Sequence, residues 1–193
     1  QFEIANSIDE VNSLIAQGKM AACVDDELVT KSCVDVVIDA TGNPESGAKA
    51  ALDAINNGKH IVMLNVETDV CIGPILKAKA DKAGVIYTGS AGDEPGAVME
   101  LYEFATAIGL EVLVMGKGKN NKVDKEANPS SVEEEALRRG MSPKMLASFK
   151  DGTKTMVELS AMCNATGFLP GQRGAYGIKA SIEDLKDVMP NRI

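Results

Sequence analysis

The sequence has no tryptophan, one histidine, and only three tyrosines and four phenylalanines in 193 residues. That poverty argues against an aromatic-rich β-sandwich. The hydrophobic 45% is instead small and aliphatic, which suits helices packed on a sheet. No apolar run approaches the roughly 18 residues that a bilayer-spanning helix needs. The start, Gln1-Phe2-Glu3-Ile4, is not a signal peptide, and without an initiator Met it reads as a fragment or a processed chain. Positive charge is also short. Twenty Lys and Arg against 28 Asp and Glu leave a net charge of −8, so neither nucleic acid nor membrane is expected as a partner. The four cysteines, Cys23, Cys33, Cys71 and Cys163, show no metal-ligand spacing. They are expected to be reduced core thiols of a cytoplasmic protein. His60, after Gly58-Lys59, reads as a half-buried residue at a strand edge rather than a partner for a catalytic cysteine.

What is present is a regular alternation from residue 34 to 90. Val34-Asp35-Val36-Val37-Ile38-Asp39-Ala40 is a β-branched apolar run and predicts a buried strand. Asn43 and Pro44 then supply an N-cap and a first helical residue. Ala48, Ala51, Leu52 and Ile55 form the apolar stripe of that helix, which Gly58 closes. His60 to Asn65 predicts the next strand. A second helix with Ile72, Ile75, Leu76, Ala80 and Ala83 inward ends at Gly84, and Val85 to Thr88 predicts a third strand. Connections of this length imply parallel neighbours. A capping box at Ser7 to Glu10 opens an earlier helix over 7–17. After residue 90 the pattern predicts a long helix over 94–110, with Val98, Leu101, Tyr102, Ala105 and Ile108 on one face. A strand over 111–115 and helices over 131–139, 143–149 and 153–165 follow. The fold class is α/β: the second half of a Rossmann-type doubly wound parallel sheet over 1–110, then an α+β substrate-binding, catalytic segment over 111–193.

A complete dinucleotide-binding fold begins with a strand, a glycine-rich turn and a helix whose N-terminus holds the pyrophosphate. No G-x-G-x-x-G occurs here, and Gly116-Lys117-Gly118 follows a late strand with no helix directly after it. The expected strand ends are Asp39 to Pro44, Asn65 to Glu67 and Ser90 to Glu94. All are rich in small and polar residues, on the edge where open α/β sheets bind ligands.

The segments VDVVIDATGNP (34–44), HIVMLNVETD (60–69), TGSAGDEPG (88–96), GKGKNN (116–121) and SFKDGTKTMVELSAMCNATG (148–167) resemble the homoserine-dehydrogenase-like oxidoreductases that carry a C-terminal SAF domain. The resemblance runs from about residue 7 to 180, and this chain looks like the central part of such a protein. It implies an NAD(P)-binding domain, an inserted α+β substrate domain, and the activity of an NAD(P)-dependent oxidoreductase. Some members resemble in activity the deoxyxylulose phosphate reductoisomerase of isoprenoid synthesis. True homoserine dehydrogenases carry Asn-Lys where this chain has Asn65-Val66, which argues against homoserine. The implied cofactor is NAD(P)H, against Ala40, Thr41, Gly42, Asn43, Pro44, Asn65 and Val66. The substrate would be a small phosphorylated or acidic hydroxy or keto compound, and the assembly a homo-oligomer, most simply a dimer. The alternative is a nucleotide-sensing or assembly protein on the same fold without turnover.

Hydride transfer to a carbonyl needs a cation or acid at the developing alkoxide. Lys154 and Glu158, one helical turn apart in an otherwise apolar helix, are the candidates, with Lys154 as acid and Glu158 orienting it. Lys117, Lys119 and Lys122, in a Gly/Asn-rich loop, are candidates to hold the anionic substrate. The other reading of those lysines is a solvated loop. Glu67, Asp93 and Glu94 lie beyond strand ends and would suit Mg²⁺ or Mn²⁺. Glu94 equally serves as a helix-opening acid.

Overall fold

The computed structural model describes residues 2–119 and 121–188. The chain divides into two units, Gln1–Asp93 and Glu94–Ile193. The sequence reading carries the first region on to residue 110. Among the described residues no helix is long and apolar enough to cross a membrane.

The first unit is built from parallel strands joined by helices, as the alternation predicts. Strand β1 (Phe2–Ile4) leads to α1 (Ile8–Ala16), β2 (Met20–Ala22) and α2 (Asp26–Lys31). Strand β3 (Val36–Asp39), α3 (Pro44–Asn56), β4 (His60–Met63), α4 (Val66–Ala83) and β5 (Tyr87–Gly89) follow. β1 pairs in parallel with β2, and β3, β4 and β5 form a second parallel sheet in that order. The first pair and α2 lie outside the sequence expectation, because three-residue strands are too short to show a period of two. Local signals set the helix ends. Ser7 Oγ accepts from Glu10 N at 3.3 Å, while the Glu10 carboxylate reaches back to accept from Asn6 N at 2.7 Å, one residue earlier than a reciprocal box requires. Asn43 Oδ1 accepts from Ser46 N at 3.0 Å, with Pro44 opening α3. Gly84 ends α4 at φ 73°, where a side chain would be strained.

Helices α3 and α4 pack on one another and on the β3–β4–β5 sheet. Val37, Ile61, Met63 and Tyr87 face them, together with Ala51, Ala54, Ile55, Leu76 and Ala80. Val36 and Ile38 alternate to the other face and are exposed. Two residues expected inside α4, Ile75 and Ala83, are exposed. On α4 the face turned to this core is carried by Leu76 and Ala80. The thiols divide likewise: Cys23 and Cys163 are half-buried, but Cys33 and Cys71 are exposed and so are not core residues. His60 sits half-buried at the strand edge, and its Nδ1 accepts from Ile86 N at 2.9 Å, tying β4 to the residue before β5.

The C-terminal ends of β3 and β4 are joined by a buried polar knot. Asp39, Asn65 and Thr68 are at most 2% exposed. Asn65 Nδ2 lies 3.0 Å from Asp39 Oδ2, 3.0 Å from Asn43 O and 3.2 Å from Thr41 Oγ1, three acceptors for two hydrogens. Asn65 Oδ1 accepts from Thr68 N, Thr68 Oγ1 donates to Pro44 O, and Thr41 N donates to Asp39 Oδ1. Each buried polar group therefore has a partner, which burial demands. Nearby, Tyr87 donates its hydroxyl to Asp69 Oδ1 at 2.8 Å. Burial first, and the Asp69 charge second, hold its phenol above the ordinary tyrosine value.

The second unit is helical among its described residues: α5 (Glu94–Ala107), α6 (Glu133–Arg138), α7 (Pro143–Asp151), α8 (Thr153–Thr166) and the short α9 (Leu185–Val188). The strand expected over 111–115 does not form. A strand needs a neighbour to take its backbone hydrogen bonds, and the described residues here offer none. The α+β character expected of this segment is thus corrected to helical among the described residues. On α5, Val98, Tyr102 and Ala105 are half-buried as expected, but Leu101 and Ile108 are exposed. The packing face is narrower than the apolar stripe: α5 lies against α8, with Tyr102 edge-on to Phe168 at 6.2 Å. A second small core gathers Ala127, Val132, Ala136, Leu146 and Ala147 around α6 and α7.

The knot makes a sharp prediction at Gly47. A Cβ there would lie under 3.0 Å from Asp39 Oδ2, Thr68 Oγ1 and Asn65 Nδ2. Gly47→Ala should therefore destabilise the protein by about 1–3 kcal/mol despite its better helix propensity. Gly89→Ala, where a Cβ meets nothing within 4 Å, is the comparison. Urea unfolding checks this, and equal midpoints for the two variants would mean that the close approach is absent.

Candidate active site

Helix α8 carries Glu158 at its centre, on the side that also buries Ala161 and Met162. The residue is 1% exposed. An ionised carboxylate in that position costs several kcal/mol unless it is paired. The partner comes from the irregular run after α5, where Lys117 brings its ammonium onto Glu158 Oε2. The same Nζ lies 2.8 Å from Oε1 of Glu94, in the first turn of α5. The Lys117 side chain is 14% exposed, that of Glu158 2% and that of Glu94 50%, so the ion pair runs from the interior outwards. Pairs such as Lys49–Asp26, half exposed on both sides, contribute about 0–1 kcal/mol. The Lys117–Glu158 pair is therefore the electrostatic feature on which this unit depends.

Burial by itself would lower the Lys117 pKa. The hydrogen bonds from Glu158 and Glu94 outweigh it and hold the ammonium above the ordinary lysine value. The group is thus a cation at any physiological pH. An ammonium has three donors, and the two carboxylates take two of them. The third can meet an oxygen that is becoming an alkoxide.

Of the residues singled out in the sequence, Glu94, Lys117 and Glu158 come together. They were expected in three different roles: metal ligand, substrate lysine and orienting acid. Lys154 is half-buried one turn before Glu158 on α8, but the carboxylate that was expected to orient it holds Lys117. Lys119 donates to Phe149 O at 2.6 Å, and Asn121 to the same carbonyl at 3.2 Å. Both satisfy a backbone acceptor at the end of α7, a common task for a lysine there. Lys122 is exposed. Asp93 ends the first unit, and Glu67 is half-buried in the first turn of α4. The cation between Glu94 and Glu158 is the Lys117 ammonium.

In the first unit, residues 40–46 are exposed at the end of β3. Gly42 has φ 63°, and Asn65 grips the loop from beneath. Asn65 and Val66 are themselves buried, at 1% and 5%. Thr41, Gly42 and Asn43 thus form a small-residue surface held from beneath. A glycine-rich pyrophosphate turn is not part of the chain.

Residues 92–192 match the family model for the catalytic domain of oxidoreductase DRL. The match spans just over half of the chain and contains Glu94, Lys117 and Glu158, so the domain that holds this ion pair is an oxidoreductase catalytic domain. The chain belongs to the oxidoreductase DRL family. No curated protein matches it. Among solved structures it is similar to the putative oxidoreductase yvaA from Bacillus subtilis, at 21% identity and a TM-score of 0.39. The likeness covers 66% of this chain and 38% of that one.

Lys117→Met leaves Glu158 buried without its cation and should cost about 3–5 kcal/mol of stability. The double variant Lys117→Met/Glu158→Gln should recover most of that loss. The pH dependence has a definite sign. A pKa raised on folding contributes stability that is whole below the unfolded value near 10.5. It is lost as pH rises through the higher folded value. The gap between wild type and Lys117→Met should therefore hold through neutral pH and narrow only in strong alkali, as measured by urea midpoints across pH.

Proposed function

We propose that the chain is part of an NAD(P)H-dependent, homoserine-dehydrogenase-like oxidoreductase acting on a small phosphorylated or acidic hydroxy or keto substrate. A reaction like that of deoxyxylulose phosphate reductoisomerase lies within this class. The observation that carries the reading is the buried Lys117–Glu158 pair inside an oxidoreductase catalytic domain. A bound nicotinamide would supply or accept the hydride. In the reducing direction Lys117 places an N–H on the carbonyl oxygen and gives it a proton as the C–O double bond becomes an alcohol. In the reverse direction the amine takes the proton back. Glu158 keeps the group charged and aimed, and Glu94 limits its swing. Low local dielectric makes this single charge count for more than it would in water. Within the first unit, taken by itself, Thr41 to Asn43 would contact the nucleotide, and Asn65 holds their loop in shape.

The test is oxidation of NADPH, in the enzyme that carries this chain, with ketose phosphates and 2-oxo acids. Lys117→Arg keeps the charge and the pairing with Glu158, but its guanidinium does not give up a proton. It should fold normally and lose about 10²–10³ in kcat, with KM changed much less. Lys154→Met is the companion variant and should retain most of its turnover. A large loss in Lys154→Met with little in Lys117→Arg would move the catalytic role back to Lys154. Nucleotide binding with no turnover on any carbonyl would favour a sensing protein instead.

A further inference from the structure

Five consecutive residues, Asn121 to Asp124 and Lys125, line an open hollow of about 520 Å³ together with Lys150. The loop is fastened to the end of α7 at both sides: Asn121 Nδ2 donates to Phe149 O, and Asp124 N donates to Lys150 O at 2.9 Å. The three lysines are therefore held around one space. Lys150 is anchored by its ion pair with Glu135, which also pairs with Arg139 at 2.6 Å. Lys122 and Lys125 make no hydrogen bond or ion pair with any described residue. The one carboxylate in the lining, Asp124, has its Oδ1 turned to its own loop, where it accepts from Glu126 N at 3.1 Å. In a chain of net charge −8, two uncommitted ammonium groups beside a third, anchored one are a local reversal of sign. Such a surface favours a compact anion. The volume exceeds what a bare phosphate fills and lies in the range of sites for small organic ligands.

We propose that this hollow is an oxyanion subsite, formed by Lys122, Lys125 and the Glu135-anchored Lys150, that takes the phosphate of a small phosphorylated molecule. It rests on the oxidoreductase reading only for the identity of the carrier, since capture of the anion needs the hollow alone. The subsite keeps Lys122 in an anion-binding role, relieves Lys117 and Lys119 of it, and adds two lysines that no local motif marks.

The experiment is an NMR titration of the full chain with inorganic phosphate, with glycerol 1-phosphate, and with uncharged glycerol. Saturable shifts at residues 121–125 and 150 are expected with both phosphates and not with glycerol. Lys122→Ala and Lys125→Ala should each weaken binding on the order of tenfold. Lys144→Ala, an exposed lysine on α7 outside the hollow, should leave it unchanged. Tighter binding of the ester than of the ion supports the subsite with an organic phosphate as occupant. Equal binding supports it with free phosphate. No saturable shift, unchanged affinity in the Lys122→Ala/Lys125→Ala double variant, or an equal loss in Lys144→Ala overturns it. Phosphate binding without any NADPH turnover leaves the subsite standing and removes the oxidoreductase reading.

Discussion

Glu158 sits where water cannot reach it, and a carboxylate so placed constrains everything around it. Its charge has to be met within hydrogen-bond distance. That requirement draws Lys117 inward from an irregular run and brings Glu94 to the same ammonium from the start of α5. Three stretches far apart in sequence thus converge on one nitrogen. The same electrostatics keeps the lysine charged, which is the state an alkoxide needs in front of it.

The first unit meets a comparable demand with neutral groups. Asn65 is buried at the end of β4 and Asp39 at the end of β3, and neither could stay there unsatisfied. One amide joins the two strand ends, the first turn of α3 lies over them, and Gly47 is the residue whose missing side chain lets it do so. The exposed loop over residues 40–44 is consequently held by its underside. A surface supported in that way can present backbone and small side chains to a ligand without rearranging.

Much of the first unit is legible in the sequence. The β-branched run at 34–40, the Asn43-Pro44 start and the Gly84 stop are local signals, and each local signal meets its local structure. The paired short strands β1 and β2 were not legible, since three residues carry no periodicity. In the second unit the helices at 133–138, 143–151 and 153–166 lie within two residues of the ranges expected from the sequence. The run at 111–115 has the composition of a strand and no partner to make it one. The site was legible as a set of residue types, but not as partnerships. Lys154 and Glu158 share a helical turn and look paired in sequence, whereas the bond that forms joins Glu158 to a lysine 41 positions away.

The sequence by itself determined where helices start and stop, which strands run parallel, and which residue types could carry charge to a substrate. These follow from forces that act within a few residues along the chain: capping, backbone preference and the periodicity of apolar side chains. Tertiary structure alone decided that Glu158 would be buried, that Lys117 would answer it, and that Lys119 would be spent on a helix end. Burial is a property of the packed chain. The cost of an unmatched charge arises only once water has been excluded, so no local pattern records which partner will meet it.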